Sequence, residues 1–264
     1  MKPIRVVVHG ALGKVGQEVV KALCSEPETQ VVGAVDLQAS GDYLSLPDGS
    51  GKIPFSADLI NLLNKYPADV MVDFTVAKAS IPAVRTAARK GVNLVIGTTG
   101  FTADELGEME KLATANKIGI VVAPNFALGA VLMIHLAKIA AKYLDYAEII
   151  ELHHHLKADA PSGTALATAR AMAKAKGKPF SCPPEQGQGS ASRGEQVEGI
   201  TLHSVRLPGL MAHQEIIMGA AGQTLSIRHD TISRECYMPG VILAIKEVVK
   251  RQGLIYGLDT LLNL

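Results

Sequence analysis

Short apolar segments alternate with amphipathic segments through the first half of the chain. Residues 4–8 are continuously apolar after Arg5, which is typical of a buried parallel strand, and residues 16–25 place apolar side chains at helical spacing. Strands that alternate with helices in this way predict right-handed crossovers and a doubly wound sheet. The further predicted strands are 31–35, 70–74, 94–96 and 118–122, and the further predicted helices are 80–90 and 102–116.

The second half of the chain has a different order of predicted elements. Residues 149–155 are predicted as a strand and residues 163–176 as a helix that ends at Gly177. Residues 186–194 show no hydrophobic period and are predicted to form a long mobile loop. Turn-forming Pro-Gly and Ala-Gly dipeptides then separate three strand-like runs. These runs predict an antiparallel meander over 200–207, 214–218 and 224–229.

A final amphipathic helix is predicted over residues 241–249. We expect it to return to the first domain, because the second face of the parallel sheet needs covering. The change of pattern places the domain boundary near Pro124 and Asn125. The predicted fold is therefore α/β, with a doubly wound domain of residues 1–124 and 235–264 and a mixed α+β domain of residues 125–234.

The charge balance, the length of the apolar runs and the cysteine positions argue against several classes of protein. Lys and Arg number 26 against 25 Asp and Glu, so no overall field attracts the chain to nucleic acid. The apolar runs are far shorter than the ~20 residues of a membrane span, and no signal region opens the chain, so we expect a cytoplasmic protein without a membrane partner. Cys24, Cys182 and Cys236 are scattered and include no CxxC pair, which argues against disulfides and structural zinc.

Three glycines stand directly after the first predicted strand. Gly10, Gly13 and Gly16 lie between a strand and a helix, where the backbone and the helix N-terminus can bind a diphosphate. Asp36 ends the second strand, 20 residues after Gly16, and a carboxylate there can accept hydrogen bonds from ribose hydroxyls. The spacing G-x-x-G-x-x-G departs from the usual G-x-G-x-x-G, and the alternative is a simple tight turn beside a solvated Asp36.

Two residues bear on which dinucleotide would be bound. Asp36 favours NAD because it would repel a 2′-phosphate, whereas Lys14 offers that phosphate a cation. We therefore expect either NADH or NADPH to be accepted. The loops 97–100 and 123–126 follow later strand ends, where ligands bind in open α/β sheets, and we expect them to line the nicotinamide pocket. Ordinary turns with capping residues are the alternative for each loop.

The richest polar segment holds three consecutive histidines. They suggest a metal site, but strand alternation lets only His153 and His155 point the same way, and no nearby cysteine completes a ligand set. Acid–base chemistry fits better, because histidine titrates near neutrality and Lys157 can donate a proton or bind a carboxylate. The helix start at 162–164 adds free N–H groups for a small anionic substrate. Surface histidines beside a Ser-capped helix are the alternative.

Several segments match one known family. The longest and most specific begins at Glu151 and has the pattern Glu-Leu-His-His-x-x-Lys-x-Asp-Ala-Pro-Ser-Gly-Thr-Ala. The others are the glycine loop, Asp-Phe-Thr at 73–75, Gly-Thr-Thr-Gly at 97–100, Ala-Pro-Asn-Phe at 123–126, His-Ser-Val-Arg at 203–206 and His-Asp at 229–230. In these segments, from the first strand to the C-terminal helix, the chain resembles the dihydrodipicolinate (4-hydroxy-tetrahydrodipicolinate) reductase family.

This resemblance implies the functional residues and no metal. His153 would be the catalytic proton donor or acceptor, and Lys157 the proton donor. The substrate carboxylates would be held by His154, Gly163 and Thr164. The residues implied to bind the dinucleotide are Gly10, Ala11, Leu12, Gly13, Lys14, Val15, Asp36, Gly97, Thr98, Thr99, Ala123, Pro124, Asn125 and Phe126.

The resemblance also implies the reaction and the assembly. It implies reduction of 4-hydroxy-tetrahydrodipicolinate to tetrahydrodipicolinate with NADH or NADPH in lysine and diaminopimelate biosynthesis. The first domain would bind the dinucleotide, and the second would bind substrate and form a homotetramer through its sheet. The alternatives are another two-domain NAD(P)-dependent oxidoreductase, such as homoserine or semialdehyde dehydrogenase, and a non-catalytic dinucleotide sensor. A semialdehyde dehydrogenase needs a nucleophilic cysteine, and none lies beside the histidine cluster.

Overall fold

The computed structural model describes residues 2–182 and 193–264. The chain divides into two compact units, one of Met1–Leu128 with Arg234–Leu264 and the other of Gly129–Ser233. The mobile loop predicted over 186–194 lies outside the described residues, apart from Arg193 and Gly194. Within the described ranges, no helix has the length and hydrophobicity needed to cross a bilayer.

The elements are numbered along the chain. The first unit begins with β1 Ile4–His9, α1 Lys14–Ser25, β2 Thr29–Val35, β3 Tyr43–Ser45, β4 Lys52–Ser56, α2 Leu59–Lys65, β5 Val70–Asp73, α3 Ala77–Arg89, β6 Asn93–Ile96, α4 Ala103–Asn116 and β7 Gly119–Val122. The next helix is α5 Leu128–Ala140, which lies in the second unit from Gly129 onward. The second unit then contains β8 Tyr146–His153, α6 Gly163–Lys176, β9 Glu195–Val197, β10 Ile200–Arg206, β11 Ala212–Ala220 and β12 Gln223–Thr231. A short 3-10 helix, Arg234–Tyr237, then leads to α7 Met238–Val248, β13 Gly253–Tyr256 and α8 Leu258–Leu262.

The sheet of the first unit is doubly wound, as predicted. Its strand order is β13-β7-β6-β5-β1-β2-β4-β3, and all neighbours are parallel except the pair of β3 and β4. The chain runs outward from β1 through β2 in one direction and from β5 through β7 in the other, so the switch in strand order falls between β1 and β5. In such sheets, ligands bind beyond the carboxyl ends of the strands at this switch.

Burial explains why the first strands read as continuous apolar runs. Val6, Val7 and Val8 have no exposed surface, because helices cover both faces of a parallel sheet. Each such side chain stabilises the fold by about 1.5–3 kcal/mol relative to an exposed one. The predicted C-terminal helix, α7, belongs to this unit and contacts α1 and β6.

The start of α4 carries a capping box formed by Thr102 and Glu105. The Glu105 N–H donates to Thr102 Oγ1 at 3.2 Å, and the Thr102 N–H donates to Glu105 Oε2 at 2.7 Å. Two backbone donors that the helix start leaves open are therefore satisfied by side chains. The two residues are three positions apart, so this start of the helix depends on local sequence alone.

The second unit has a mixed sheet, and the prediction of a meander is wrong. The strand order is β12-β11-β8-β10-β9, so β8 lies between β10 and β11. The β11–β12 hairpin is antiparallel as predicted, but β10 pairs with β8 in parallel. A parallel pair needs a crossover connection, and α6 lies between β8 and β10 in the chain. The turn residues after β10 mark a change of direction and do not reveal which strands pair.

Replacement of Gly16 by Ala should destabilise the first unit. A Cβ at Gly16 would lie 2.0 Å from the Gly10 carbonyl oxygen, which is backbone and cannot move aside cheaply. We expect the free energy of unfolding to fall by about 1–3 kcal/mol, measured by urea denaturation. The control is Gly107→Ala in α4, where nothing lies within 4 Å of the added Cβ and a gain of about 0.5–1 kcal/mol is expected. Equal stability of Gly16→Ala and the wild type would show that the Gly10 carbonyl oxygen does not exclude a side chain at position 16.

Candidate active site

The glycine loop is closely packed by backbone. Gly10 has φ +82°, and a Cβ there would lie 2.7 Å from the Phe74 carbonyl oxygen. The Gly10 N–H donates to the Val35 carbonyl oxygen at 2.8 Å, which holds the loop over the end of β2. Gly13 is the N-cap of α1 and supplies no side-chain cap. The first N–H groups of α1 therefore meet the requirement of a diphosphate for unpaired backbone donors at a helix N-terminus.

Asp36 is fixed beside this loop. Its Oδ2 accepts from the Leu12 N–H and its Oδ1 from the Gln38 N–H, each at 3.0 Å. A carboxylate has about four acceptor positions, so two bonds leave capacity for ribose hydroxyls. Lys14 is exposed at the start of α1. The residues of the loop, with Asp36, therefore fit a dinucleotide.

The two later loops also lie at strand ends of the same sheet. Gly97 follows β6, and a Cβ there would lie 2.0 Å from the ring of Phe74, so only glycine allows this packing. Thr98 is almost fully buried, whereas Thr99 is exposed.

The loop after β7 is built from buried and accessible residues in turn. Ala123 and Phe126 are buried, and the Phe126 ring centroid lies 5.7 Å from that of Phe74. Pro124 is exposed, and Asn125 Oδ1 accepts from the Ala127 N–H at 2.9 Å. The dinucleotide-binding residues predicted from the sequence therefore come together within the first unit, along the carboxyl ends of β1, β2, β6 and β7.

The second unit has a buried carboxylate at its centre. Glu151 in β8 has no exposed surface, and Arg206 donates to both of its oxygens, at 2.7 and 2.8 Å. The Ser162 N–H donates to Glu151 Oε1 at 3.2 Å, and His153 Nδ1 bonds to Oε2. Burial raises the pKa of the Glu151 carboxyl, but the hydrogen bonds from Arg206 and Ser204 outweigh it. The pKa of Glu151 therefore lies below its usual value, and the group is ionised at neutral pH.

The contact with Glu151 determines the tautomer of His153. An ionised carboxylate can only accept, so Nδ1 carries the proton and Nε2 presents a lone pair in the neutral ring. Burial lowers the pKa of the His153 imidazole, and the Glu151 charge offsets only part of this effect. His153 is therefore mainly neutral at neutral pH and can accept a proton at Nε2.

Lys157 is held by a different carboxylate. Its Nζ donates to both oxygens of Asp159, at 2.6 and 2.7 Å. The neighbouring ammonium lowers the pKa of the Asp159 carboxyl. Arg206 Nη2 also donates to the Asp159 backbone carbonyl at 2.7 Å, so the same guanidinium contacts Glu151 and the Lys157–Asp159 segment.

The helix start beside this cluster has free donors. Ser162 is the N-cap of α6, and its Oγ accepts from the Ala165 N–H at 3.1 Å. Within the described residues, the N–H groups of Gly163 and Thr164 have no acceptor. They offer an anion two backbone donors at the positive end of a helix.

The predicted strand over 149–155 is too long at its carboxyl end. β8 ends at His153, and the Lys157 N–H donates to the His154 carbonyl oxygen at 3.1 Å in the turn that follows. His154 and His155 are exposed there, so strand alternation does not relate His155 to His153. In the part of the chain that the structure describes, no group of three or more His, Cys, Asp or Glu residues is arranged to hold a metal ion.

Three other histidines make contacts within the second unit. His203 Nε2 bonds to Glu148 at 2.8 Å, and His213 Nδ1 bonds to Asp230 at 2.7 Å. His229 packs against Gly129, where a Cβ would lie 2.5 Å from the imidazole. Glu151, Arg206 and Asp159 have contacts in this site that the sequence patterns do not predict. Arg206 lies 55 residues after Glu151, and only the pairing of β10 with β8 brings the two together.

Comparison with known proteins gives consistent matches over the whole chain. The profile of the dihydrodipicolinate reductase N-terminus matches residues 4–126, and that of the C-terminus matches residues 129–262. A 4-hydroxy-tetrahydrodipicolinate reductase of Dehalococcoides mccartyi is 61% identical over 264 residues, which is all of both chains. One of Moorella thermoacetica is 47% identical, with 98% of each chain covered.

Comparison with solved structures also gives a match to a dihydrodipicolinate reductase. The dipicolinate-bound dihydrodipicolinate reductase from Paenisporosarcina sp. TG-14 superposes with a TM-score of 0.87 at 40% identity, covering 97% of this chain and 98% of that one. An amine dehydrogenase from Mycobacterium smegmatis shares the fold, with a TM-score of 0.67 at 16% identity over 97% of this chain and 95% of that one. The predicted combination of a Rossmann-type unit and a mixed α+β unit is confirmed.

Replacement of Glu151 by Gln should lower the pKa of His153 further. The carboxylate is the group that favours the imidazolium, and burial remains after its charge is removed. The pKa can be followed by two-dimensional ¹H–¹⁵N NMR of the ring nitrogens against pH. Glu148→Gln is the control, since Glu148 lies on the same strand but pairs with His203. An unchanged or raised pKa in Glu151→Gln would disprove the coupling.

Proposed function

The chain belongs to the dihydrodipicolinate reductase family, and on that premise we propose that it reduces 4-hydroxy-tetrahydrodipicolinate to tetrahydrodipicolinate with NADH or NADPH. This reaction serves lysine and diaminopimelate biosynthesis. The observation that carries the proposal is the position of the Glu151 carboxylate, which bonds to His153 and to the backbone at the start of α6. An acid–base imidazole and an anion-binding helix start are thereby held together, as reduction of a dicarboxylate requires.

We assign dinucleotide binding and substrate binding to different parts of the chain. Residues 1–124 and 235–264 form the dinucleotide-binding domain, and residues 125–234 form the substrate-binding and oligomerisation domain. The glycine loop, Asp36 and the two later loops support the first assignment, since they lie along one edge of a doubly wound sheet. The cluster around Glu151 and the start of α6 supports the second.

The nicotinamide ring, when bound, supplies the hydride. Gly10 to Val15 form the loop that would hold the diphosphate. The N–H groups of Lys14 and Val15 would donate to it, since those of Gly10 to Gly13 donate within the protein. Asp36 would accept hydrogen bonds from the ribose. Gly97, Thr98, Thr99 and residues 123–126 border the nicotinamide end. The tight packing of Gly97 on Phe74 supports this role, because it keeps the loop close to the sheet.

The substrate side uses charge and backbone donors together. His154 and the N–H groups of Gly163 and Thr164 hold the ring carboxylates. The substrate loses its 4-hydroxyl group as water, and hydride addition at C4 of the resulting ring leaves a nitrogen-conjugated carbanion. Lys157 donates the proton that this carbanion needs. His153 exchanges a proton with the substrate at Nε2, because Nδ1 is committed to Glu151. The Asp159 carboxylate orients the Lys157 ammonium.

We also propose a homotetramer that forms through the sheet of the second unit. The face opposite the buried residues Ile149, Leu202 and Ile216 bears partly exposed apolar side chains. These side chains are Ile150, Leu152, Val205 and Ile217. An apolar sheet face of this kind supports an interface between copies of the chain.

The family match supports the reductase over the other two functions. A semialdehyde dehydrogenase would need a nucleophilic thiol, yet in the second unit the exposed Cys182 thiol donates to Gln196 and Gly199. A sensor would bind NADH without consuming it. Loss of NADH absorbance on addition of freshly made substrate separates the reductase from both rivals.

Removal of either proposed proton-transfer group should reduce turnover strongly. We expect His153→Ala and Lys157→Ala each to lower kcat by about a hundredfold or more, which is the usual effect of a positioned acid–base group. The measurement is steady-state NADH oxidation. His155→Ala is the matched control, because His155 is an exposed neighbour in the turn after β8 and should keep wild-type turnover. Turnover close to wild type in both test variants would refute the assignment.

Replacement of Lys14 by Ala should weaken the binding of NADPH more than the binding of NADH. Lys14 is the cation that can pair with a 2′-phosphate, and loss of one such pair corresponds to about a five- to tenfold rise in Kd. The Kd values of both cofactors can be measured by calorimetry. Lys111→Ala, on the exposed surface of α4, is the control. Equal effects on NADPH and NADH would rule out this role of Lys14.

A further inference from the structure

A second buried carboxylate lies at the switch in strand order of the first unit. Asp73, the last residue of β5, has no exposed surface. Its Oδ1 lies 2.9 Å from His9 Nδ1 and accepts from Thr75 Oγ1 at 2.7 Å. Its Oδ2 accepts from Thr98 Oγ1 at 3.1 Å. Three side chains from three different strand ends therefore meet on one carboxylate.

This carboxylate ties together the loops that border the proposed dinucleotide site. Thr98 Oγ1 also accepts from the Thr75 N–H at 2.8 Å, which links the loops after β5 and β6 directly. The Phe74 N–H donates to the His9 carbonyl oxygen at 3.2 Å, and the Gly97 N–H to the Asp73 carbonyl oxygen at 2.9 Å. His9 is followed immediately by the first glycine of the loop.

Packing alone does not account for a histidine at this position. The three residues before His9 are fully buried valines, and the strand would continue its apolar pattern with another aliphatic side chain. A buried carboxylate, however, is costly unless its lone pairs are satisfied. Because a carboxylate can only accept, His9 Nδ1 must donate, and His9 completes the set of donors around Asp73.

We propose that His9 is a positioning residue for the nicotinamide dinucleotide. It acts through Asp73, whose carboxylate holds Thr75 and Thr98 in one arrangement before the cofactor binds. The inference rests on the proposed function, since it concerns the same cofactor. Preorganised loops reduce the ordering that binding requires, so loss of the His9 donor weakens binding without removing a direct contact.

The test is NADH affinity, measured by calorimetry in the absence of substrate. His9→Leu removes the donor at similar volume, and Kd should rise about tenfold. His9→Asn should restore the affinity to within about twofold, because its amide nitrogen is the same number of bonds from Cα as Nδ1. His9→Gln places the amide one bond farther away and should remain weak. Tight binding by His9→Asn together with weak binding by His9→Gln shows that the donor must lie at the position of Nδ1, and that a polar side chain is not enough. This comparison decides the proposal even if His9→Leu does not fold.

The control removes a comparable buried hydrogen bond elsewhere. Thr29 is buried at the opposite end of the sheet, and its Oγ1 donates to the Leu23 carbonyl oxygen at 3.0 Å. Thr29→Val should lower the melting temperature without changing NADH affinity. Wild-type NADH affinity in His9→Gln, or in a folded His9→Leu, overturns the role of His9 alone. If the wild type binds neither NADH nor NADPH, the proposed function is overturned together with this inference.

Discussion

The ionised Glu151 carboxylate must find all its partners inside the protein, because no solvent reaches it. It obtains them from three places: the side chains of Ser204 and Arg206 on β10, the His153 ring at the end of β8 and the backbone at Ser162. Each partner is thereby given a defined position. Removal of a single partner would leave a buried charge incompletely satisfied, which is far more costly than the loss of an exposed ion pair. The arrangement of the candidate active site follows from this requirement.

The first unit uses the same device with a different carboxylate. Asp73 collects its donors from His9, Thr75 and Thr98, each at the carboxyl end of a different parallel strand. In both units the carboxylate is the shared acceptor, and the residues proposed to contact ligands lie around it. Loops are usually the most variable and mobile parts of a fold, and a buried acceptor limits that freedom. Rigid placement of the donors before binding favours affinity and catalysis alike.

Much of the fold follows from local patterns. The valine run in β1, the glycine loop after it and the capping box at Thr102 predict their elements because the determining residues lie within a few positions of one another. The site segment from Glu151 to Ala165 is equally local and carries the family resemblance. The neutral His153 tautomer is not predictable in this way, since it depends on the charge and burial of Glu151.

The sequence by itself determined the doubly wound sheet, the position of the glycine loop and the identity of the residues proposed for chemistry. The tertiary structure decided which strands pair in the second unit, where β8 lies between β10 and β11 and ends before His154. It also decided that Arg206 meets Glu151 and that His9 meets Asp73, across separations of 55 and 64 residues. Hydrophobic period and turn chemistry act over a few residues, whereas a buried charge selects its partner through space, so only the packed chain reveals the pair.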